Sequence, residues 1–368
     1  MRRELKGYFC VGTYSQPIRF GTGQWFRGKG EGLYLCGLEG EKIRILGKLA
    51  LCNPSYLAIA QGKGRIYAVN ETKAFQGQPG GGISEIAYDG RGRLTLVRQL
   101  PTGGGDPCHV SLAPDGSALA VSNYAGGSVA VWPLDRKGGI AGPRQLFQHR
   151  GGSIHPRQQA PHAHCAIFLS SQALVAADLG KDALVWYGLA GGRAVPQPAK
   201  DCPCAAGSGP RTGVLSQDGQ NLYILNELSA SITRFRVEEG GLTRGESLPI
   251  LPEGMEAGAG SDGGGDLQMA PDGRHIYASH RGAHSISGFR IGAGGALERV
   301  SWTPCGGATP RNFAIDPHGE TLLCGNQDSD TISIFNLTGG GGLEPIAQQP
   351  FPTPVCIRFF QDGLTGAE

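Results

Sequence analysis

The sequence predicts an all-β fold, a seven-bladed β-propeller, and three observations carry this prediction. Glycine is unusually frequent, at 62 of 368 residues or about 17%, against a usual share of roughly 7%. Glycine at this density disfavours helices, because each interior glycine destabilises a helix by about 1 kcal/mol. A paired-strand pattern recurs along the chain, and a second apolar pattern repeats about every 50 residues. A period of this length with several short strands per unit is typical of propeller blades.

The first pattern is a short apolar run, a Gly/Asp turn and a second apolar run that ends in a polar pair. The opening residue and the polar position are 16 residues apart in five copies and 17 apart in the copy that opens at Pro161. Turns such as Pro114-Asp115-Gly116 are hairpin signals, so the two strands of each copy are antiparallel. The six copies span residues 54–71, 107–124, 161–179, 210–227, 264–281 and 310–327.

The second pattern is an apolar residue, another three positions later and a third two positions after that. Its seven copies begin at Leu33, Ile83, Val129, Leu184, Ile232, Ile286 and Ile332. The first of these has no complete hairpin before it, whereas a truncated hairpin pattern begins at Pro354, near the C-terminus. We therefore predict that strands from both termini close the ring in one blade, which removes an open sheet edge. The whole chain, residues 1–368, is predicted to form a single domain.

The predicted hairpins also locate a polar cluster. In an antiparallel hairpin, the start of the first strand and the end of the second lie side by side, opposite the turn. These positions from all blades meet at one mouth of the central channel, which makes a concave polar site. The strand starts carry His164, Arg211 and Arg311, and the strand ends carry Glu71, Glu227, Arg281 and Gln327.

Two kinds of polar residue are distinguished at these positions. Asparagine or aspartate recurs at most strand ends and is expected to cap turns through local hydrogen bonds; these residues are Asn70, Asn123, Asp178, Asn226 and Asn326. Other positions replace the repeated type with a charged or titratable group, which is unfavourable in a narrow channel unless paired or used. We therefore expect His164, Arg211, Glu227 and Arg281 to be functional. Five other histidines fall in loops or turns and are expected to be solvated: His149, His155, His275, His284 and His318.

Composition and motifs exclude several other functions. The net charge is +2 with no basic block, which argues against nucleic acid as a partner. No apolar stretch approaches the ~20 residues that span a bilayer, so no membrane partner is expected. HExxH, CxxC and acidic calcium-loop motifs are absent from the sequence, so we expect neither a metal nor another cofactor. The ten cysteines are expected to be reduced core residues. Residues 1–6 lead directly into an apolar run without a signal-peptide pattern, which predicts a cytoplasmic protein.

Many short segments, in this order, resemble one known family over nearly the whole chain. They include Val11-Gly12-Thr13-Tyr14, Asn53-Pro54-Ser55-Tyr56-Leu57, Pro107-Cys108-His109-Val110, Arg157-Gln158, Pro161-His162-Ala163-His164, Gly209-Pro210-Arg211 and Leu225-Asn226-Glu227-Leu228. The sequence resembles the seven-bladed β-propeller lactonases, typified by the cycloisomerase-type 6-phosphogluconolactonases of bacteria. Fungal carboxymuconate cyclases share the fold.

The resemblance implies a set of site residues. The family's catalytic positions match His164, Arg211, Glu227 and Arg281, the four residues that the repeats single out. Two adjacent positions depart from the family pattern: Thr212 stands where the family usually has histidine, and His280 stands where it usually has asparagine or aspartate. The residues expected to bind substrate are Glu71, His109, Arg157, His162, Arg311 and Gln327.

The function that this resemblance implies is hydrolysis of a phosphorylated sugar lactone, 6-phosphogluconolactone, in the pentose phosphate pathway. His164 or Glu227 would accept the proton of the attacking water. Arg211 and Arg281 would stabilise the oxyanion or bind phosphate. Two alternatives stay open: a carboxymuconate-type lactonising cycloisomerase and a non-catalytic propeller that serves as a binding platform. The sequence specifies no oligomeric state.

Overall fold

Seven antiparallel sheets, each with four strands along its main path, are arranged as blades around a central channel. The computed structural model describes residues 5, 7–89, 92–255 and 263–361. The innermost strand of each blade packs against the innermost strands of both neighbours, which closes the ring. The predicted all-β, seven-bladed fold is therefore confirmed. The single-domain prediction for residues 1–368 extends to residues outside the described part of the chain.

The first blade combines both ends of the chain. Its innermost strand is Pro354–Phe359, which pairs with Gly7–Thr13. Gly32–Glu39 and Lys42–Ala50 complete the sheet on the outer side. The C-terminal strand thus supplies the inner position of a blade whose other three strands are N-terminal, as the truncated repeat predicts.

The other six blades each follow one another along the chain, and their strands run outward from the channel in sequence order. Blade 2 contains Leu57–Ala60, Arg65–Asn70, Gly82–Tyr88 and Leu94–Pro101; blade 3 contains Pro107–Leu112, Ala118–Asn123, Ser128–Pro133 and Gln145–Gln148; blade 4 contains Ala163–Ser170, Ala173–Asp178, Ala183–Ala190 and Arg193–Pro196. Blade 5 contains Pro210–Leu215, Asn221–Asn226, Ser231–Glu238 and Gly241–Pro249; blade 6 contains Gly264–Met269, His275–His280, Ser285–Ile291 and Leu297–Pro304; blade 7 contains Pro310–Ile315, Thr321–Asn326, Thr331–Leu337 and Leu343–Pro350.

A few short elements lie outside this plan. Pro17–Arg19 pairs with Trp25–Arg27 in a ribbon that we call the mouth hairpin, residues 17–27. Ala74–Phe75 pairs with Gln78–Pro79, and Cys202–Pro203 adds to the third strand of blade 4. The two helices in the described part of the chain, Pro198–Lys200 and Ala293–Gly295, are 3-10 turns of three residues each. Neither approaches the length that a bilayer crossing requires.

The hydrophobic core lies between adjacent blades. The second apolar pattern of the sequence corresponds to the third strand of each blade, and its positions face the neighbouring sheets. For example, Ile83 packs with Val121 and Trp132 in one cluster that joins blades 2 and 3. All ten cysteines are free thiols, nine of them buried. Packing between blades thus fixes the inner hairpins that carry the polar residues.

Candidate functional site

A β-bulge at the start of the inner strand positions one set of site residues. In blade 5, Pro210 pairs with Asn226 but Thr212 pairs with Leu225, so Arg211 is the extra residue. A bulge redirects the extra side chain and increases the local twist. The same irregularity occurs in blades 3, 4 and 7. The extra residues of the four blades, Cys108, His164, Arg211 and Arg311, all line one cavity.

The residues that directly follow the second strands form the other set. In blades 3 to 7, the last residue of the second strand pairs with the first residue of the inner strand. In blade 7, for example, Asn326 pairs with Pro310. The next residue therefore lies at the same mouth of the channel. Five such residues line the cavity: Glu71, Tyr124, Glu227, Arg281 and Gln327.

The cavity has a volume of about 540 Å³ at the mouth of the channel. Its outer wall includes residues 19–22 and Gln24 of the mouth hairpin. Phe20 of this hairpin packs against Tyr14, with ring centroids 5.8 Å apart. Arg157 and Asp106 complete the wall between the blades. A cavity of this size, with converging charged groups, fits a small polar ligand.

Glu227 is the centre of the cationic side of the cavity. Its Oε1 lies 2.7 Å from Nη2 of Arg157 and 3.0 Å from Nη2 of Arg281. Its Oε2 accepts a hydrogen bond of 2.5 Å from Nη1 of Arg211. Burial alone would raise the pKa of Glu227, but the three guanidinium groups outweigh burial and hold that pKa well below its usual range. The carboxylate is therefore a permanent negative charge that orders three cations.

His164 adjoins this group as a neutral imidazole. Its Nε2 lies 2.6 Å from Nη1 of Arg211, and because a guanidinium only donates hydrogen bonds, Nε2 is the acceptor. The ring proton is then on Nδ1, which lies 3.7 Å from the Cys108 sulfur. Burial, followed by the charge of Arg211, lowers the pKa of His164 well below its usual value. His164 thus orients Arg211 rather than adding a charge.

The opposite side of the cavity carries two carboxyl groups, Glu71 and Asp106, together with Arg311. The Tyr14 hydroxyl donates a 2.9 Å hydrogen bond to Glu71, and Arg311 Nη2 lies 4.0 Å from the same carboxylate. The Cζ atom of Arg311 also lies 5.3 Å from the centroid of the Tyr14 ring, and Nη1 of Arg311 donates a 3.4 Å hydrogen bond to Oε1 of Gln327. Burial, followed by the charge of Glu71, raises the pKa of Asp106 to about 6. This side therefore holds carboxyl groups with far fewer cationic partners than Glu227 has.

Two residues expected to bind substrate do not line the cavity. His109 is the residue after the bulge, so it faces inward along the channel. Its ring packs against the Tyr56 ring, with centroids 4.3 Å apart, and its Nε2 lies 3.2 Å from the Cys165 sulfur. His162 stacks on the far face of Tyr124, with ring centroids 4.5 Å apart. The other four residues expected to bind substrate, Glu71, Arg157, Arg311 and Gln327, do line the cavity.

The two departures from the family pattern also lie away from this cavity. Thr212 occupies the same repeat position as His109, and both line a second, much smaller cavity of about 20 Å³ deeper in the channel. His280 is buried, and its Nδ1 accepts a hydrogen bond from the Ala283 amide at 3.0 Å. Burial, followed by the charge of Arg281, lowers the pKa of His280 to about 4. His280 therefore caps a turn.

The repeated strand-end residues have the structural contacts expected of caps. Asn226 donates to Ser231 and Thr233 across the hairpin, and Asn326 makes the equivalent contacts in blade 7. Asp178 caps the following turn through Oδ1, which accepts from the Lys181 amide at 3.1 Å, and its Oδ2 lies 2.6 Å from Nδ1 of His149. The expectation that His149 is solvated is therefore wrong: the side chain is buried, and its Nε2 lies 2.5 Å from the Tyr187 hydroxyl. The loop before blade 4 folds back onto that blade and covers it.

Sequence reasoning missed several residues of the cavity. Asp106 precedes the opening proline of blade 3, a position that the hairpin pattern does not include. Arg19 and Phe20 come from the mouth hairpin, which belongs to no repeat. Tyr124 directly follows a second strand, so the repeat alignment could have identified it. Within the described residues, no group of three or more His, Cys, Asp or Glu side chains is arranged to hold a metal ion.

Comparisons with known proteins agree on one family. Residues 8–359 match the family model described as Lactonase, 7-bladed beta-propeller. A 6-phosphogluconolactonase of Formosa agariphila is 33% identical and covers 76% of this chain and 80% of its own length. A 6-phosphogluconolactonase of Bacillus subtilis is 29% identical and covers 84% and 88%. The structure of a periplasmic gluconolactonase of Pseudomonas aeruginosa is 30% identical with a TM-score of 0.84, and it covers 96% of this chain and 99% of its own.

Proposed function

Because this chain belongs to the seven-bladed β-propeller lactonase family, we propose that it is an enzyme that hydrolyses 6-phosphogluconolactone to 6-phosphogluconate. Two relatives that align over most of its length carry the name 6-phosphogluconolactonase. The reaction belongs to the pentose phosphate pathway, and we expect it in the cytoplasm. Since one relative of known structure is periplasmic, cell fractionation is the test of that location.

The observation that carries this proposal is the group of three guanidiniums around Glu227 at the cavity wall. Opening a lactone requires stabilisation of the negative charge that develops on the carbonyl oxygen. Arg211 and Arg281 are held in place by Glu227, so they need no reorganisation when that charge appears. His164 fixes the orientation of Arg211 further. In this proposal Glu227 and His164 organise the arginines, and the arginines stabilise the oxyanion.

The phosphate of the substrate would lie toward the mouth hairpin. Arg311 lies on that side of the cavity, over the Tyr14 and Phe20 rings. Arg19 lines the cavity from the hairpin itself and is exposed to solvent. Guanidinium groups bind phosphate through paired hydrogen bonds. An anion at this position would leave the lactone ring beside Arg211 and Arg281.

The test is to measure hydrolysis of 6-phosphogluconolactone and of unphosphorylated gluconolactone by the purified protein. Spontaneous hydrolysis of these lactones is fast, so buffer alone is the reference. We expect acceleration with a chelator present, with a higher kcat/KM for the phosphorylated lactone. A preference for the unphosphorylated lactone would make the P. aeruginosa gluconolactonase the better functional analogue. A folded protein without acceleration on either lactone would refute the proposal and favour the cycloisomerase or the binding platform.

A further inference from the structure

The cavity contains both groups expected to accept the proton of the attacking water, yet both have their acceptor atoms occupied. The two oxygens of Glu227 face three guanidinium groups at 2.5–3.0 Å. The Nε2 of His164 faces Arg211. A general base needs a free lone pair within reach of its proton, so the base must be sought elsewhere on the cavity wall.

We propose that Asp106 is the carboxylate that moves the proton in this reaction, a role that rests on the lactonase function proposed above. Asp106 lines the cavity and is 5% exposed. Its Oδ2 lies 3.3 Å from Nζ of Lys73, and its Oδ1 has no hydrogen-bond partner among the described residues. A buried carboxylate oxygen without a partner is unfavourable for folding, and a bound water or substrate would supply the missing partner.

The internal repeats provide a comparison for Asp106. Asn53, Thr309 and Thr353 also directly precede the opening proline of an inner strand, and all have positive φ values, as Asp106 does. The Asn53 side chain bonds three backbone groups. The threonine hydroxyls donate to Asp328 and Asp330. The side chains at these positions therefore tie neighbouring segments together, whereas the Asp106 side chain, which lines the cavity, has one buried oxygen without a partner among the described residues.

The surroundings of Asp106 fix its backbone and keep the pKa of its carboxyl near the value that a general base requires. Its amide donates to the Thr72 carbonyl and its carbonyl accepts from the Tyr124 amide, both at 2.9 Å, so its backbone is fixed between blades 2 and 3. Burial and the neighbouring charge of Glu71 raise its pKa, Lys73 lowers it, and the result is about 6. At neutral pH most of the carboxyl is ionised, and it accepts a proton readily.

The proton balance of the step is simple. Asp106 takes a proton from water as the water oxygen bonds to the lactone carbonyl carbon. When the tetrahedral intermediate collapses, the ring C–O bond breaks and Asp106 gives this proton to the departing ring oxygen, which becomes a hydroxyl. The second water proton stays with the new carboxyl group and leaves to solvent. Asp106 is then ionised again.

The experiment is the pH profile of kcat/KM for wild type, Asp106→Asn and Lys73→Met. Wild-type kcat/KM should fall below a pH of about 6 as Asp106 becomes protonated. Asp106→Asn should lower kcat by roughly 10²–10⁴, the usual contribution of a general base, with little change in KM. Its profile should also lack the acid limb, which is the fall in kcat/KM at low pH. Lys73→Met removes the cation that lowers the pKa, so its acid limb should move to higher pH.

Controls separate this proposal from the proposed function and from misfolding. Asp115→Asn makes the same change in an exposed turn at the opposite end of blade 3 and should leave the profile unchanged. Asp106→Thr introduces the residue found at positions 309 and 353, so it suits the local backbone and should show the same loss as Asp106→Asn. An active wild type with an unchanged acid limb in Asp106→Asn and Asp106→Thr overturns the role of Asp106 alone. A wild type without lactonase activity overturns both proposals.

Discussion

The two sides of the cavity use equivalent repeat positions but differ in electrostatic character. Glu227 and Glu71 each follow the strand-end asparagine of their blade. Three guanidinium groups surround Glu227 within 3.0 Å, whereas Glu71 receives a tyrosine hydroxyl and has one guanidinium at 4.0 Å. The difference teaches that equivalent repeat positions can give a buried carboxylate very different surroundings, and that close cations rather than burial hold the pKa of Glu227 low.

The largest expected effect comes from removing the fixed charge. Glu227→Gln leaves three guanidiniums without their shared counter-ion, and breaking a buried pair in this way costs about 3–5 kcal/mol. Denaturant unfolding at pH 7 measures the loss. Because the folded pKa of Glu227 is lowered, its stabilisation is present above its ordinary pKa of 4.5 and is lost as the pH falls further. The stabilities of wild type and variant should therefore converge in acid.

The matched control for this variant is Glu71→Gln. The amide oxygen of glutamine still accepts the hydrogen bond from Tyr14, and the guanidinium of Arg311 is farther away. We expect a clearly smaller loss of unfolding free energy than for Glu227→Gln. Equal losses in the two variants would mean that the two sides of the cavity do not differ in the way described above.

Much of the fold and of the placement of the site residues could be predicted from the sequence, because propeller strands are short local patterns repeated at a fixed spacing. That spacing placed His164, Arg211, Glu227 and Arg281 at one mouth of the channel. It could not separate His109 from His164, because the bulge adds one residue and turns the next side chain inward. The role proposed for Asp106 depends on which of its own carboxylate oxygens lacks a hydrogen-bond partner, and only the folded arrangement specifies that.

The burial of His149 was unpredictable for a related reason. Its loop carries no strand pattern, and its partners Asp178 and Tyr187 are 29 and 38 residues away in sequence. Loop residues are usually solvated, so the sequence favours the wrong environment. Sequence periodicity gives no information about the contacts that irregular segments such as the mouth hairpin make.

The second-largest effect is expected for Arg211→Ala, which removes one donor from the proposed oxyanion site. Loss of such a donor lowers the rate by roughly 10²–10³, and we expect this loss in kcat/KM for 6-phosphogluconolactone. Arg211→Lys should not restore the full rate, because lysine lacks the planar fork in which Nε donates to the Gly265 carbonyl while Nη1 contacts Glu227 and His164. Steady-state kinetics against the buffer rate provides the measurement.

Arg290→Ala is the control for this arginine series. Arg290 pairs with Glu298, and both side chains are largely exposed, so an exposed pair of this kind contributes little. Its kcat/KM should match that of wild type. If Arg211→Lys were as active as wild type, a point charge would suffice at this position and the fork geometry would be irrelevant to the reaction.

A smaller effect is expected for Arg19→Ala, which tests the position of the phosphate. Losing one hydrogen-bonded charge from phosphate should raise KM for the phosphorylated lactone roughly tenfold, since such bonds are worth about 1.5–3 kcal/mol and the exposure of Arg19 places this one at the low end. KM for unphosphorylated gluconolactone should stay unchanged, because that substrate has no group for Arg19 to bind. Parallel kinetics on the two lactones measure the split, and an equal change in both would place the phosphate elsewhere.

The smallest effect is expected for His162→Ala, which tests whether this histidine binds substrate directly or acts only through Tyr124. The His162 ring stacks on Tyr124 at 4.5 Å, and the Tyr124 hydroxyl accepts a 2.9 Å hydrogen bond from Arg157. Loss of one stacked ring should lower the unfolding free energy by about 0.5–1.5 kcal/mol. Because His162 does not line the cavity, kcat/KM should change by no more than roughly threefold, which is about 0.7 kcal/mol in the activation free energy. The exposed His318→Ala variant should change neither quantity. A loss of kcat/KM as large as that of Arg211→Ala would instead mean that His162 reaches the substrate, which requires Tyr124 to move aside when the ligand binds.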